Sequence, residues 1–173
     1  MNWDIFYNSY SKMTDSVLRE TVISLYEIGS GEEITDVVTD INNAEIKLRL
    51  IDKALELKAT FTEFDFVRLE GEIPPALLVK LARFGEIEFG NGNDVADAIT
   101  SIYDDNVGRA LYERAYVDDV RFTQEHLDRM GYENIDSAHD PLVEDSQSQS
   151  KRYGCLAAFI GLGTVLGRRK RKK

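Results

Sequence analysis

Apolar residues return along this chain at spacings of three and four. Ile34, Val37, Val38 and Ile41 fall at i, i+3, i+4 and i+7, which puts them on one face of a helix. Ile46, Leu50, Ile51, Ala54 and Leu55 predict a second helix directly after it. The same two patterns return with Val95, Ala98, Ile99 and Ile102, and then with Val107, Leu111 and Ala115. Strand-like alternation is hard to find. Gly-Ser-Gly at 29–31 and Gly-Asn-Gly at 90–92 break one helix and start another. Thr62 and Thr123 are placed to cap a following helix, with Phe61 and Phe122 before them as hydrophobic staples. Pro75 fits the first turn of a helix that runs through Phe84.

Sliding the chain by 61 residues aligns 26–71 with 87–132 without a gap. Glu27/Glu88, Gly29/Gly90, Gly31/Gly92, Asp36/Asp97, Thr39/Thr100, Leu50/Leu111, Ala54/Ala115, Phe61/Phe122, Thr62/Thr123 and Arg68/Arg129 are identical pairs. So many matches in one register indicate a duplication. A weaker match at half that spacing sets Leu25, Gly29 and Ile34 against Leu55, Ala59 and Phe64, which divides each copy into two helix pairs of about 30 residues. The predicted class is all-α: two 61-residue copies of tandem helix pairs, forming a short solenoid or a compact helical bundle. The repeat domain covers 1–131.

Composition sharpens this picture. With 43% apolar residues the chain can bury a core. Its net charge of −10 hides an asymmetry, because residues 151–173 hold eight Lys and Arg and no acid. Residues 1–150 carry 13 bases against 31 acids, a net of −18. Such a body repels phosphate backbones, so nucleic acid is a poor partner for it and a basic protein a better one. One cysteine, Cys155, leaves no internal disulfide and no site of several thiolates. Nothing near Met1 has the basic-then-apolar run of a secretion signal, so a cytoplasmic location is the expectation.

At the start of the chain Trp3, Phe6, Tyr7 and Tyr10 share one helical spacing. They read either as a helix that caps the first repeat or as an aromatic docking surface for a partner.

After the repeats, 132–150 is polar and acidic and reads as a linker. Residues 151–173 form a separate segment, with a 15-residue apolar stretch from Tyr153 to Gly167. It includes Cys155, Leu156, Phe159, Ile160, Leu162, Val165 and Leu166, and is followed by Arg168, Arg169, Lys170, Arg171, Lys172 and Lys173. As a helix it would be about 22 Å long, short of the roughly 30 Å hydrocarbon core of a bilayer. Snorkelling bases and local thinning narrow that gap. Attraction of the basic end to anionic lipid is worth about 1 kcal/mol per base. Association with a membrane, packing on protein, and a nucleic-acid or targeting patch are the three readings of this segment. It is also similar to the end of a Gram-positive cell-wall sorting signal, although no LPxTG motif precedes it.

Chemistry is scarce. His126 and His139 are the only histidines, the first on a helix at the position that Asp65 holds in copy one, the second in the linker. His126 reads as an exposed helix position. Cys155 has no His or Asp partner nearby in sequence. Glu32–Glu33, Asp104–Asp105 and Asp118–Asp119 are adjacent acids, which do not face each other on a helix and suit helix N-termini. No catalytic, cofactor or metal motif is found, so no enzyme and no cofactor is expected.

Stretches such as SLYEIGSGEEITDVVTDI, a helix, a glycine turn and a helix, resemble short HEAT-like repeats over residues 16–130. The resemblance lies in spacing and departs from HEAT in unit length and in its extra aromatics. It implies a scaffold or partner-binding role, since stacked helix pairs make extended binding surfaces. The function expected is therefore a non-enzymatic protein-interaction module, tethered at the cytoplasmic face of a membrane by its C-terminal segment. The alternative is an acidic mimic of DNA that inhibits a DNA-binding protein.

Overall fold

Ser30 and Asn91, 61 residues apart, start the same helix in the two copies. The Ser30 hydroxyl accepts from the Glu33 N–H at 3.3 Å, and the Ser30 N–H donates back to the Glu33 carboxylate at 3.1 Å. Asn91 and Asp94 close the same reciprocal box. Such boxes satisfy donors that a helix start otherwise leaves bare. The computed structural model of the chain describes residues 1–132.

The described residues are all-α apart from two strands of two residues each. In order they run α1 (Trp3–Tyr7), a 3-10 turn (Tyr10–Lys12), α2 (Asp15–Ile23), α3 (Gly31–Asp40), α4 (Ala44–Glu56), β1 (Thr60–Phe61), α5 (Glu63–Leu69), α6 (Pro75–Phe84), β2 (Glu86–Ile87), α7 (Gly92–Ser101), α8 (Asp105–Val117) and α9 (Gln124–Met130). Helices α3, α4 and α5 begin and end 61 residues before α7, α8 and α9. The two non-glycine residues with positive φ, Lys58 and Asp119, are also 61 apart, each just beyond the end of α4 or α8. Pro75 opens α6 and Thr62 and Thr123 precede α5 and α9, as their chemistry predicts.

Each helix after α1 meets the one two places further on. Helices α2, α4, α6 and α8 contact in sequence to make one layer, and α3, α5, α7 and α9 make the other. Strands β1 and β2 run parallel, with Thr60 opposite Glu86 and Phe61 opposite Ile87. That direction follows from their equal place, each leading into a helix of the second layer. Strands of two residues are too short for a period of two to register in sequence.

The core runs between the layers. Ile34, Phe66, Val95 and Leu127 each lie four residues after an N-cap, and each is fully buried. Here the half-repeat register needs correction. A spacing of 30 pairs Ile34 with Phe64, yet Phe64 is 48% exposed and Phe66 takes the core position. The N-caps Ser30, Thr62, Asn91 and Thr123 are 32, 29 and 32 residues apart. A shift of two residues turns a side chain by about 200° on a helix and sends it to the opposite face.

One core position differs between the copies in a way that stability measurements can read. Thr35 is fully buried and its hydroxyl has no hydrogen-bond partner, while the same position in copy two is the buried Ala96. An orphaned buried hydroxyl costs about 1–3 kcal/mol. Thr35→Val keeps the shape and removes the hydroxyl, so it raises stability by about 1 kcal/mol. A urea midpoint at or below that of the parent chain would mean that the hydroxyl is satisfied in solution.

Candidate functional site

The aromatics of α1 meet the carboxylates of α3. Glu33, Asp36 and Asp40 lie at i, i+3 and i+7, on one side of that helix. The Trp3 indole N–H donates to Glu33 at 3.0 Å, the Tyr7 hydroxyl to Asp36 at 3.2 Å and the Tyr10 hydroxyl to Asp40 at 2.5 Å. The rings also pack on one another, Trp3 to Phe6 at 5.3 Å and Trp3 stacked on Tyr7 at 6.0 Å.

This corrects the docking-surface reading for half of its residues. Trp3 is 4% exposed and Phe6 is fully buried, both in the main core, so neither presents a face to a partner. Burying two large rings removes far more apolar area from water than exposing them as anchors would leave free. Tyr7 and Tyr10 stay half-buried.

Both tyrosines are held in the phenol form. The bond to Asp40 pushes Tyr10 up to about 12, with burial adding to it, and burial followed by the Asp36 charge raises Tyr7. A pKa raised on folding contributes stability that is present below the unfolded value near 10 and lost as pH climbs through the folded value. Tyrosine absorbance followed from pH 9 to 13 therefore shows a late-ionising group near pH 12. Tyr10→Phe removes that phase; its persistence in the variant would assign it elsewhere.

Asp36 also links the cap to the next helix of its layer. Its other oxygen receives Arg68 of α5 at 2.5 Å, which holds the guanidinium charged and raises its pKa. Copy two repeats the link as Arg129 to Asp97, with Arg129 also donating to Asn93 at 2.8 Å. Glu63, 2% exposed, accepts from the Gly90 N–H at 3.1 and 3.3 Å. Glu70 accepts from the backbone N–H groups of Tyr103 and Asp104 at 2.9 and 2.8 Å.

The two layers divide the charge unequally. Helices α3, α5, α7 and α9 carry ten acids against two bases, a net of −8. Helices α2, α4, α6 and α8 carry seven acids against eight bases, a net of +1. In the acidic layer Glu33, Asp36, Asp40, Glu63, Asp65, Asp94 and Asp97 are engaged by the bonds and capping boxes of the fold. Glu32, Glu125 and Asp128 are exposed on the same layer, Asp128 accepting from the Gln124 amide at 2.9 Å.

The remaining candidates for chemistry resolve into structural roles. His126 is half-buried, and its Nδ1 accepts from the Thr123 N–H at 3.2 Å, so it closes a capping box as Asp65 does in copy one. The exposed-position reading of His126 is corrected accordingly. Glu32–Glu33 and Asp104–Asp105 lie at helix N-termini, where they are favourable. Asp118–Asp119 lies instead at the C-terminal end of α8, where Arg114 offsets Asp118 at 2.7 Å. Among the described residues no group of three His, Cys, Asp or Glu could hold a metal ion. None of their helices is long and apolar enough to cross a membrane.

Sequence reasoning missed the exposed apolar ends of the less acidic layer. Phe84 closes α6 at 75% exposure and Val117 closes α8 at 72%. Arg114 donates to the Gly85 carbonyl at 3.0 Å, which brings these two helix ends side by side. Their spacing merely continues each helix, so no pattern marks them. The predicted membrane segment and basic anchor, Cys155 to Lys173, lie outside the described residues, as does the linker after Tyr132. No family model, curated protein or solved structure matches the chain.

Proposed function

We propose that the chain is a non-enzymatic protein-interaction module whose acidic layer, α3, α5, α7 and α9, receives a basic protein surface. The observation that carries this reading is the division of charge, −8 on one layer and +1 on the other. A one-sided field speeds the encounter with an oppositely charged partner and turns it to the right face. Residues 151–173 tether the module to an anionic membrane at the cytoplasmic face. Their apolar stretch and six terminal bases support that part of the reading.

The alternative, a mimic of DNA, asks for rows of unengaged carboxylates. Eight of the ten acids on this layer are bonded within the fold, which favours a protein partner.

The test compares full-length parent with Glu32→Lys/Glu125→Lys/Asp128→Lys in cross-linked pull-downs at low and high salt. All three residues are exposed, so the variant keeps its fold. Partners recovered by the parent at low salt are lost from the variant and in high salt. Recovery of the same partners by both chains would sink the acidic-face reading. In parallel, full-length chain floats with vesicles containing phosphatidylserine, and replacing the bases at 168–173 by glutamine releases it. Equal flotation of both would remove the tether.

A further inference from the structure

The second copy keeps a seat whose occupant the first copy displays. In copy one, α6 and β2 cover α4 and β1. The Glu88 N–H donates to the Phe61 carbonyl at 2.8 Å, and Lys80 of α6 meets Asp52 of α4 at 2.8 Å. Beneath them Ile51, Ala59 and Phe61 are buried. Sixty-one residues on, the same positions are Tyr112, Val120 and Phe122. With Tyr116, Asp119 and Arg121 they line a hollow of about 640 Å³. Phe61 is fully buried, whereas Phe122 is only half-buried. Arg121–Phe122 stands where β1 stands but has no strand partner among the described residues. Beyond Tyr132 the sequence match thins: Leu81 returns as Leu142, but Leu78, Lys80 and Ile87 become His139, Pro141 and Ser148 at the shifted positions. The seat was duplicated, and these three residues of its occupant were not.

We propose that this seat receives an amphipathic helix followed by an extended residue pair, supplied by another protein and of the same chemistry as α6–β2. Two leucines one turn apart, as Leu78 and Leu81 are, cover the half-buried Val120 and Phe122; Tyr112 behind them is already buried, 4.6 Å from Tyr132. A lysine between them reaches Glu113, the counterpart of Asp52, which is exposed and paired with Arg109 at 2.9 Å. The extended pair donates an N–H to the Phe122 carbonyl, as Glu88 does to Phe61. This surface is independent of the acidic layer.

The probe is a labelled synthetic peptide of residues 74–89, titrated with full-length chain and followed by fluorescence anisotropy. Saturable binding is expected, at least tenfold weaker for a peptide carrying Leu78→Ser/Leu81→Ser. It is also at least tenfold weaker for a chain carrying Val120→Lys, whose thermal melt is checked against the parent. The peptide variant reads the contact without touching the fold of the chain. Peptide left free by the full chain, or bound equally by all forms, overturns the proposal. Uptake only after Leu156→Asp/Phe159→Asp would name residues 151–173 as the occupant and exclude a partner. A dimer in sedimentation that Val120→Lys dissociates would name a second copy, with the same consequence.

Discussion

Trp3→Ala lowers the stability of the body by about 3–5 kcal/mol, the range for removing a buried aromatic side chain. For a body of this size that is a fall in Tm on the order of 10–15 °C, read by far-ultraviolet circular dichroism. The indole is 4% exposed, packs 5.3 Å from Phe6 and stacks on Tyr7. Its loss opens a cavity beneath α1 and leaves Glu33 with only its backbone donor at Ser30. Tyr10→Phe, which removes one half-buried hydroxyl, costs far less. The pair of variants separates the two readings of the N-terminal aromatics. An unchanged melt for Trp3→Ala would mean that the indole faces solvent and is available to a partner.

Gly31→Ala and Gly92→Ala are the next most damaging changes, each costing roughly 1–3 kcal/mol or more. A methyl on Gly31 would lie 2.6 Å from the Phe61 Cα, and one on Gly92 would run into the Arg121 carbonyl oxygen. Both obstacles are backbone, so neither can swing aside. Alanine gains up to about 1 kcal/mol over glycine in a helix interior, less at the first position, so the clash wins. These glycines let the segment before each short helix, Phe61 or Arg121, lie against the start of the preceding helix of its layer. Chemical denaturation of both variants should show similar losses, since the copies share this contact. A neutral Gly92→Ala beside a damaging Gly31→Ala would show that the second copy is looser there.

Much of the helical layer was legible because two signals coincided. The faces of Ile34–Ile41 and Val95–Ile102 follow a period of 3.6, and the 61-residue match doubles the evidence for each. Thr62, Thr123 and Pro75 mark helix starts by chemistry that acts locally. The fate of Trp3 and Phe6 was not legible, since an aromatic stripe at helical spacing fits a core and an anchor equally well. His126 was misread because a histidine in the third position of a helix is an unusual capping partner, and only the geometry of its ring shows the bond. The division of charge between the layers depends on which helices lie together. The sequence holds every acid involved but gives no sign that four helices rich in them share a layer.

Counted over these helices, that division is an electric dipole set across the two layers. In solution it experiences a torque before any atom touches. A cationic surface turns the acidic layer toward itself at separations near the Debye length, about 8 Å at physiological salt. A negatively charged surface turns the molecule the other way and brings forward the layer that bears Phe84 and Val117. The same body thus shows opposite faces to opposite fields, and ionic strength sets how far away that choice is made.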